Sequence, residues 1–352
     1  MKRSTVLSLV LLVFLTGCIN PWQWDYLTAA GLGELRVQLF ARPIDQVLAA
    51  GQLPDDQQRK LRLVLDVRAF AVDEIGLFAG DSYTRFYDTG DQPIAYNLSA
   101  ASESALEPYV WHLPLAGDMP YLGYFDRQQA LDEARRLGDL GFDTYVYGVD
   151  AFSTLGILND PVYTHLLRRA DPVIIDIVIH ELTHNTIWHP ADTTFNESLA
   201  TFVGKTGAQM FIKRTYGPES DLLVQADQQY ADKALYNAFM ADLYARLEAF
   251  YNTPATDAEK IAGRQTVFQE ARDRFQQEFY PRFFDQALYE GALELPTNNA
   301  WVLLNRRYNL DVDLFARVHE AAGSDFAISI PIFAAAAREA DPQAYLHTWL
   351  GE

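Results

Sequence analysis

The chain has 352 residues, of which 49% are hydrophobic and 21% are charged, and its formal net charge at pH 7 is −19. This composition is that of a globular protein with a sizeable core, and it excludes an intrinsically disordered chain. The acidic balance disfavours nucleic acid as a partner, because a phosphate backbone requires a basic face, whereas cationic substrates or free amino termini would be attracted.

Residues 1–17 predict a secretory signal peptide. Lys2 and Arg3 form a positive start, and the apolar run 6–15 that follows is too short to span a membrane as a helix. A plain signal peptide that happens to end near a cysteine is the alternative interpretation. Removal of the segment would make the mature chain, 18–352, more acidic still, because both basic residues are lost.

The end of this segment predicts a lipid anchor. The only cysteine of the chain, Cys18, stands at the expected cleavage point, and "LTGC" (15–18) resembles the bacterial lipobox, whose cysteine is diacylated. Acylation would attach the protein to a membrane without spanning it, and would leave no thiol for a disulfide or a cysteine nucleophile. Ile19 and Asn20 follow, so the aspartate that resembles an inner-membrane retention signal is absent. We therefore expect a bacterial envelope protein, anchored in the outer membrane and facing the periplasm.

The first part of the mature chain predicts a mixture of helices and strands. A helix is predicted over 61–78, where apolar residues recur at helical spacing, and Gly80 is its predicted end. A second helix is predicted over 127–137, and "TYVYGVD" (144–150) predicts a strand. Three further segments are short, aromatic and β-branched, which is typical of strands: "SYTRFYD" (82–88), "PIAYNLSA" (93–100) and "YVWHLPL" (109–115).

The remainder of the chain predicts helices. Segments 222–251 and 258–283 are charged and amphipathic, and the Thr-Pro break between them predicts an antiparallel pair of helices. The pair could form one wall of a cleft, or it could have only a structural role in packing. Segments 311–321 and 325–340 predict further helices. The order of helix, strand-rich section and helices predicts an α+β fold that is mainly helical.

No repeat and no Pro/Gly/Ser-rich linker divides the mature chain, so we predict one catalytic unit with three parts. These are a mixed lobe over 18–170, active-site helices over 171–212 and a helical C-terminal lobe over 213–352. The middle part carries the chemistry.

The segment "VIIDIVIHELTHNTIWH" (173–189) predicts a buried helix with ionisable side chains. Asp171 is predicted to cap the free amides at the helix start, and Pro172 is tolerated at the first helical position. Apolar residues cover nearly the whole circumference that follows. His180 and His184 are four residues apart, so their rings project from one face about one turn apart. Such groups on a buried helix are costly unless they are paired or bind a metal.

The H-E-x-x-H pattern from His180 to His184 predicts a catalytic zinc site. Two neutral imidazoles hold one zinc ion, while Glu181 is offset by one position and lies beside the ion without binding it. Glu181 would take a proton from water and later pass it to the departing amine. The alternative is a pair of core histidines with a salt-bridged glutamate and no metal.

A hydrolytic zinc site needs a third protein ligand and an open fourth position. Glu197 begins a second predicted helix in "NESLATFVG" (196–204), and packing of that helix on the first could deliver its carboxylate to the metal. His189 is the rival ligand, but it follows His184 by five residues instead of the six of the metzincin arrangement. Its alternative role is that of a cation that interacts favourably with the dipole at a helix C-terminus. Asp192 could cap the second helix or orient a histidine. We expect Glu197 to be the third ligand.

"HELTH" together with Glu197 resembles the site of gluzincin zinc peptidases of the thermolysin type, with a shorter gap to the third ligand. Six blocks also occur in order along the mature chain: "RPIDQVL" (42–48), "SYTRFYD" (82–88), "LPLAGDMPYLGYFD" (113–126), "GFDTYVYGVDAFSTLGILNDPV" (141–162), "IHELTHNTIW" (179–188) and "FNESLATFVG" (195–204). Through these blocks the chain is similar, over most of its mature length, to a family of predicted bacterial aminopeptidases that are often lipoproteins. The resemblance implies a zincin-like fold with a small mixed sheet, one zinc ion and a peptide or protein substrate.

Several roles stay open at the level of sequence. Phe152 stands where the family pattern has a tyrosine. The oligomeric state is not predicted, and a non-catalytic, lipid-anchored zinc-binding protein of the envelope is the alternative function. The oxyanion of the reaction needs a further donor, for which the candidates are Tyr124, Tyr147 and Tyr308. An exopeptidase also needs a carboxylate for the substrate's amino group, and the candidates, which could instead serve turns and caps, are Asp143, Asp150 and Asp160.

Overall fold

The structure is a computed structural model that describes residues 20–90, 92–114, 117–149, 158–306 and 312–352. Cys18, Asp150, Phe152 and Tyr308 lie outside these ranges, so the expectations placed on them stay predictions. Across the described ranges, no helix combines the length and the apolar character needed to cross a bilayer.

The N-terminal half of the chain contains both helices and short strands. The helices are α1 (Pro21–Phe40), α2 (Ile44–Ala50), α3 (Asp55–Phe70) and α4 (Arg127–Gly138). The strands are β1 (Arg42–Pro43), β2 (Arg85–Tyr87), β3 (Ala95–Ser102), β4 (Trp111–Leu113), β5 (Gly117–Met119), β6 (Leu122–Tyr124), β7 (Phe142–Val149) and β8 (Val162–Tyr163).

The C-terminal half is helical. Its α-helices are α5 (Asp171–Thr186), α6 (Thr193–Tyr216), α7 (Asp221–Tyr251), α8 (Asp257–Arg274), α9 (Gln286–Tyr289), α10 (Asn299–Arg306), α11 (Val312–Ala321), α12 (Phe326–Ala336) and α13 (Pro342–Leu350). The described chain is therefore mainly helical with small sheets, which is consistent with the predicted α+β fold, and the predicted strands and late helices are confirmed.

The boundaries of α3 differ from the prediction. The helix begins at Asp55, after Pro54, and one π-helical turn continues it to Ile75. Gly76 then adopts a left-handed conformation with φ of 84° and stops the helix, so the predicted end at Gly80 is wrong. The early stop follows from glycine chemistry, because a residue without a Cβ enters this conformation at little cost.

The strands form three small sheets. The largest places β3 between β6 and β7, both antiparallel to it, with Ala95 opposite Val149 and Ser102 opposite Phe142. The sheet of β1, β2 and β8 is mixed, because β2 pairs antiparallel with β1 and parallel with β8. Strands β4 and β5 form an antiparallel pair.

The main core surrounds α5 and α6. Apolar side chains of α2, α3 and α11 to α13 pack around these two helices, and the residues Ile174, Ile175, Val178, Ile179 and Leu182 of α5 are fully buried in it. A second cluster joins α7, α8 and α10, and a third joins α4 to the sheet of β3. The position of α5 at the centre gives it a rigid setting, since interiors are close-packed.

A buried ion pair connects the sheet of β3 to the helical half. The Arg264 guanidinium donates to both carboxylate oxygens of Asp143, at 2.6 and 3.0 Å, and the Asn299 backbone N–H donates to the same carboxylate at 2.6 Å. Asp143 therefore has a structural role as the partner of Arg264. This role explains the residue better than the suggested contact with the amino group of a substrate.

Asp143→Ala is expected to lower the free energy of unfolding by about 3–5 kcal/mol, because the Arg264 charge would stay buried without its partner. Urea denaturation measures the change, and Asp139→Ala, at an exposed position after α4, is the matched control. A loss for Asp143→Ala no larger than that of the control would contradict the importance of the pair.

Candidate metal centre

Helix α5 begins differently from the prediction. Ala170 is the N-cap and Pro172 lies in the first turn, where its missing N–H costs nothing. The Asp171 side chain makes no cap, so the capping role predicted for it is wrong. Its carboxylate instead accepts two hydrogen bonds from the Arg59 guanidinium of α3, at 2.5 and 2.9 Å. This ion pair fixes the start of α5 against α3.

The two histidines predicted as ligands lie together on α5. The ring centroids of His180 and His184 are 4.9 Å apart, and their Nε2 atoms are 3.2 Å apart. This follows from the helix itself, since residues i and i+4 stand above one another on one face. The His184 ring also meets the Trp188 ring edge-on, with centroids 5.6 Å apart. His184 is buried and His180 is partly accessible.

Helix α6 carries Glu197 to the same place. Asp192 caps α6 by accepting a hydrogen bond from the Phe195 N–H at 2.8 Å, which confirms the capping alternative for this residue. The Glu197 Oε2 atom lies 3.4 Å from Nε2 of His180 and 3.7 Å from Nε2 of His184. Among the described residues, these three side chains form the one His/Cys/Asp/Glu group whose ligand atoms lie close enough to share an ion.

The buried side chain of Asn196 fixes the first turn of α6. Its amide oxygen accepts a hydrogen bond from the His189 backbone N–H, and its amide nitrogen donates to the His189 carbonyl, both at 2.8 Å. This reciprocal pair ties the segment after α5 to the residue that precedes Glu197. It therefore sets the orientation of the Glu197 backbone relative to the histidines.

A glycine permits the close approach of α5 and α6. Gly204 lies seven residues, or about two turns, after Glu197 and hence on the same face of α6. A Cβ atom at Gly204 would lie 2.4 Å from Oδ1 of Asp176 and 3.3 Å from Cβ of His180. Any larger residue would therefore have to displace the Asp176 side chain or move α6 away from the helix of the histidines.

Gly204→Ala is accordingly expected to weaken zinc binding by at least about tenfold, the scale found when the support of a ligand is disturbed. Competition with a chromophoric chelator measures the affinity. Gly138→Ala is the matched control, because a Cβ atom there meets nothing within 4 Å. Equal zinc affinity in the two variants would show that the separation of α5 and α6 is not set by Gly204.

The geometry of the three ligand atoms fits a zinc ion. Tetrahedral zinc with bonds of about 2.0–2.2 Å to nitrogen and oxygen requires ligand atoms about 3.3–3.6 Å apart. The observed separations of 3.2, 3.4 and 3.7 Å lie close to this range. Two imidazoles and one carboxylate also leave a fourth position open, as a catalytic zinc site requires.

The charges at the site suit the roles predicted for them. Burial alone would raise the pKa of Glu197, but hydrogen bonds and charge from His180 and His184 outweigh it and hold that pKa well below its usual value. Glu197 is thus a carboxylate, the form that binds a metal. Burial raises the pKa of Glu181 above its usual value, partly offset by the two histidines, and a raised pKa favours acceptance of a proton.

His189, the rival ligand, lies apart from the cluster. Its Nδ1 accepts a hydrogen bond from the Ala191 N–H at 3.2 Å, and its Nε2 lies 3.1 Å from the Glu339 carbonyl, to which it donates. Both ring nitrogens are therefore used by backbone groups. The imidazole serves to hold the segment between α5 and α6, and no lone pair remains for a metal.

Tyr83 is a feature of the site that the sequence did not reveal. Its side chain is buried, its backbone has a φ of 63°, and its hydroxyl has no hydrogen-bond partner among the described residues. Burial and the nearby Glu181 carboxylate raise its pKa well above the usual value. The preceding Ser82 hydroxyl accepts hydrogen bonds from the Asp160 N–H and the Asn185 amide, which hold this turn against the end of α5. Left-handed backbone at a tyrosine is uncommon and concentrates at functional sites.

The other tyrosine candidates have contacts in the sheet of β3. The Tyr124 ring packs edge-on against Tyr26 in the cluster below α4. The Tyr147 hydroxyl accepts a hydrogen bond from the Asn97 amide at 3.3 Å. The Asp160 side chain, a candidate for binding a substrate amine, is 2% exposed.

The sequence was compared with families and proteins that are already known. A family model described as "Putative aminopeptidase" matches residues 25–343, from α1 into α13. The chain belongs to this family. The match covers the elements that carry His180, Glu181, His184 and Glu197, and membership indicates a peptidase. No curated protein matches the chain, and neither does any solved structure.

Proposed function

We propose that the protein is a zinc-dependent aminopeptidase of the bacterial envelope, anchored through lipid at Cys18. The observation that carries the proposal is the convergence of His180, His184 and Glu197 at separations that suit one zinc ion. Membership in the aminopeptidase family supports peptide hydrolysis as the reaction.

Each residue of the site has a defined task in this proposal. His180, His184 and Glu197 would hold the zinc ion, which, when bound, supplies a Lewis acid for the scissile carbonyl and lowers the pKa of water. Glu181 follows His180 directly on the rigid helix α5, so its carboxylate would lie beside a bound ion. It accepts a proton from the attacking water and passes it to the departing amine.

The cleavage of paired peptides tests this function. The purified protein with one equivalent of zinc is expected to release residues one at a time from a peptide with a free amino terminus, and to leave the N-acetylated peptide of the same sequence intact. Internal cleavage of both peptides would retain the zinc peptidase and reject the aminopeptidase. A zinc-loaded protein that cleaves neither peptide would favour a non-catalytic zinc-binding role.

The anchor is tested separately by mass spectrometry of the mature N-terminus. We expect the first residue to be Cys18 with attached acyl chains, and we expect the protein to fractionate with outer-membrane vesicles. Retention of residues 1–17, or an unmodified thiol at Cys18, would contradict the lipoprotein proposal and leave the peptidase proposal untouched.

A further inference from the structure

The outward face of α1 exposes large apolar side chains along one stripe. Leu32, Leu35, Leu39 and Phe40 follow at intervals that place them on one side of a helix, and Leu39 and Phe40 are 66% and 67% exposed. Trp22, near the start of α1, is also exposed. Single exposed apolar residues are ordinary, but a contiguous stripe indicates an interaction surface.

The opposite face of α1 is firmly packed. Val37 is buried in a cluster with Ile94 and Tyr163. Gly33 lies directly under the Phe125 ring, since a Cβ atom at Gly33 would be 2.1 Å from that ring. The helix is therefore held in place by its inner face, and its apolar outer stripe is a fixed feature of the surface.

Two arginines border the stripe. Arg36 and Arg42, together with Phe40, line a cavity of about 320 Å³. Neither guanidinium has a hydrogen-bond or ion-pair partner in the described part of the chain, although the whole sequence carries a net charge of −19. Asp88 also lines the cavity, but its carboxylate already accepts a hydrogen bond from the Thr164 hydroxyl at 2.7 Å.

We propose that this surface, the docking face, lies on an anionic phospholipid bilayer. It comprises Leu32, Leu35, Arg36, Leu39, Phe40 and Arg42. Apolar side chains on one face of a helix enter the interfacial layer of a bilayer, and adjacent arginines bind lipid phosphates.

The position of α1 in the chain indicates that the partner of the docking face is a bilayer. The proposal rests on acylation of Cys18 in the proposed function, and α1 begins only three residues later, at Pro21. Lipid at Cys18 would hold the start of α1 at the bilayer surface. The helix is about 30 Å long and can lie along that surface with the docking face toward the lipid. Asp25 is the one acidic residue on the exposed side of α1, and it lies toward the anchored end.

Docking would fix the orientation of the metal centre relative to the bilayer. The Gln38 side chain of α1 donates to the Asn159 carbonyl at 3.1 Å, and Asp160, the next residue, accepts at its carbonyl from the Tyr83 N–H. Helix α1 is thus linked through one short segment to the turn beside Glu181. A second contact with the bilayer would remove the rotational freedom that an acyl anchor alone permits.

Site-specific fluorescence on the acylated protein tests the docking face. Acylation consumes the thiol of Cys18, the only cysteine of the chain, so Leu39→Cys would carry the single reactive thiol. With an environment-sensitive dye at this position, vesicles containing phosphatidylglycerol are expected to shift the emission to the blue. Spin-labelled lipids are expected to quench the dye about twofold more than in the control. Leu288→Cys, at a similarly exposed position in α9, is the matched control.

Replacement of both arginines separates the lipid contact from simple apolar burial. Arg36→Gln with Arg42→Gln is expected to weaken the dye's response to phosphatidylglycerol vesicles by about fivefold for each arginine, with little change on phosphatidylcholine. Equal, water-like emission at positions 39 and 288 in vesicles would overturn the proposal. A blue shift of the dye in detergent, without vesicles, that grows with protein concentration would also overturn the proposal. The docking face would then be an interface between copies of the chain. A reactive thiol in the wild-type chain would remove the anchor and this proposal together, whereas peptide cleavage tests the enzyme independently.

Discussion

Glu181→Gln is expected to lower turnover of a peptide with a free amino terminus by about 10²–10⁴-fold while zinc content stays at one ion per chain. The substitution keeps the size of the side chain but removes the group that accepts the proton. The proposed ligands are His180, His184 and Glu197, so the loss of the Glu181 carboxylate should leave zinc binding intact. Turnover and zinc content are measured on the same preparation, the latter by atomic emission.

The matched control for this change is Glu270→Gln, at an exposed position of α8. It removes the same charge from the chain without touching the site, so its turnover should equal that of the wild type. Full activity of Glu181→Gln would reject Glu181 as the base. Loss of zinc from Glu181→Gln would show instead that Glu181 holds the ion or the local fold.

Glu197→Ala is expected to lower zinc affinity by more than about 100-fold, because even the outer partners of metal ligands contribute 10- to 100-fold. Turnover should fall with the metal and should recover only partly at high zinc concentration. The structural reason is the position of the Glu197 carboxylate, 3.4 and 3.7 Å from the two Nε2 atoms. Titration against a chelator of known affinity measures the effect.

His189→Ala provides the comparison for this prediction. It is expected to keep zinc and most of the turnover, but to lower the free energy of unfolding by about 1–3 kcal/mol, since the Ala191 N–H and the Glu339 carbonyl would lose their partner. Loss of zinc from His189→Ala with retention in Glu197→Ala would reverse the assignment of the third ligand.

Features that arise within one element could be predicted from the sequence. The helical span around His180 and His184 follows from a proline suited to the first turn and the long apolar run after it, and the spacing of the two histidines places both on one face. The cap made by Asp192 follows from the residue type before an apolar run. Glu197 could be chosen as a ligand because its carboxylate stands in the first turn of the next helix, and the structure brings it to the histidines.

Features that depend on distant residues could not be predicted. Asp171 was expected to cap α5, but Arg59, far away in the chain, pairs with its carboxylate. Asp143 could not be recognised as the partner of Arg264, which lies 121 residues later. Tyr83 reaches the neighbourhood of Glu181 through a left-handed turn, and a tyrosine gives no local signal for such a conformation.

Gly204 lies between these two cases. Its position two turns after Glu197 on the same helical face could be read from "NESLATFVG", and a glycine inside a helix often marks a close approach. What the sequence could not give is the partner of that approach, because contact with Asp176 and His180 depends on how α6 crosses α5.

The most direct test of the metal centre is turnover of a peptide with a free amino terminus before and after removal of zinc. We expect activity to disappear when a chelator removes the ion and to return on addition of one equivalent of zinc, in the wild type but not in Glu181→Gln. Unchanged turnover in a protein that has been shown to hold no metal would contradict the assignment of His180, His184 and Glu197 to a catalytic zinc ion.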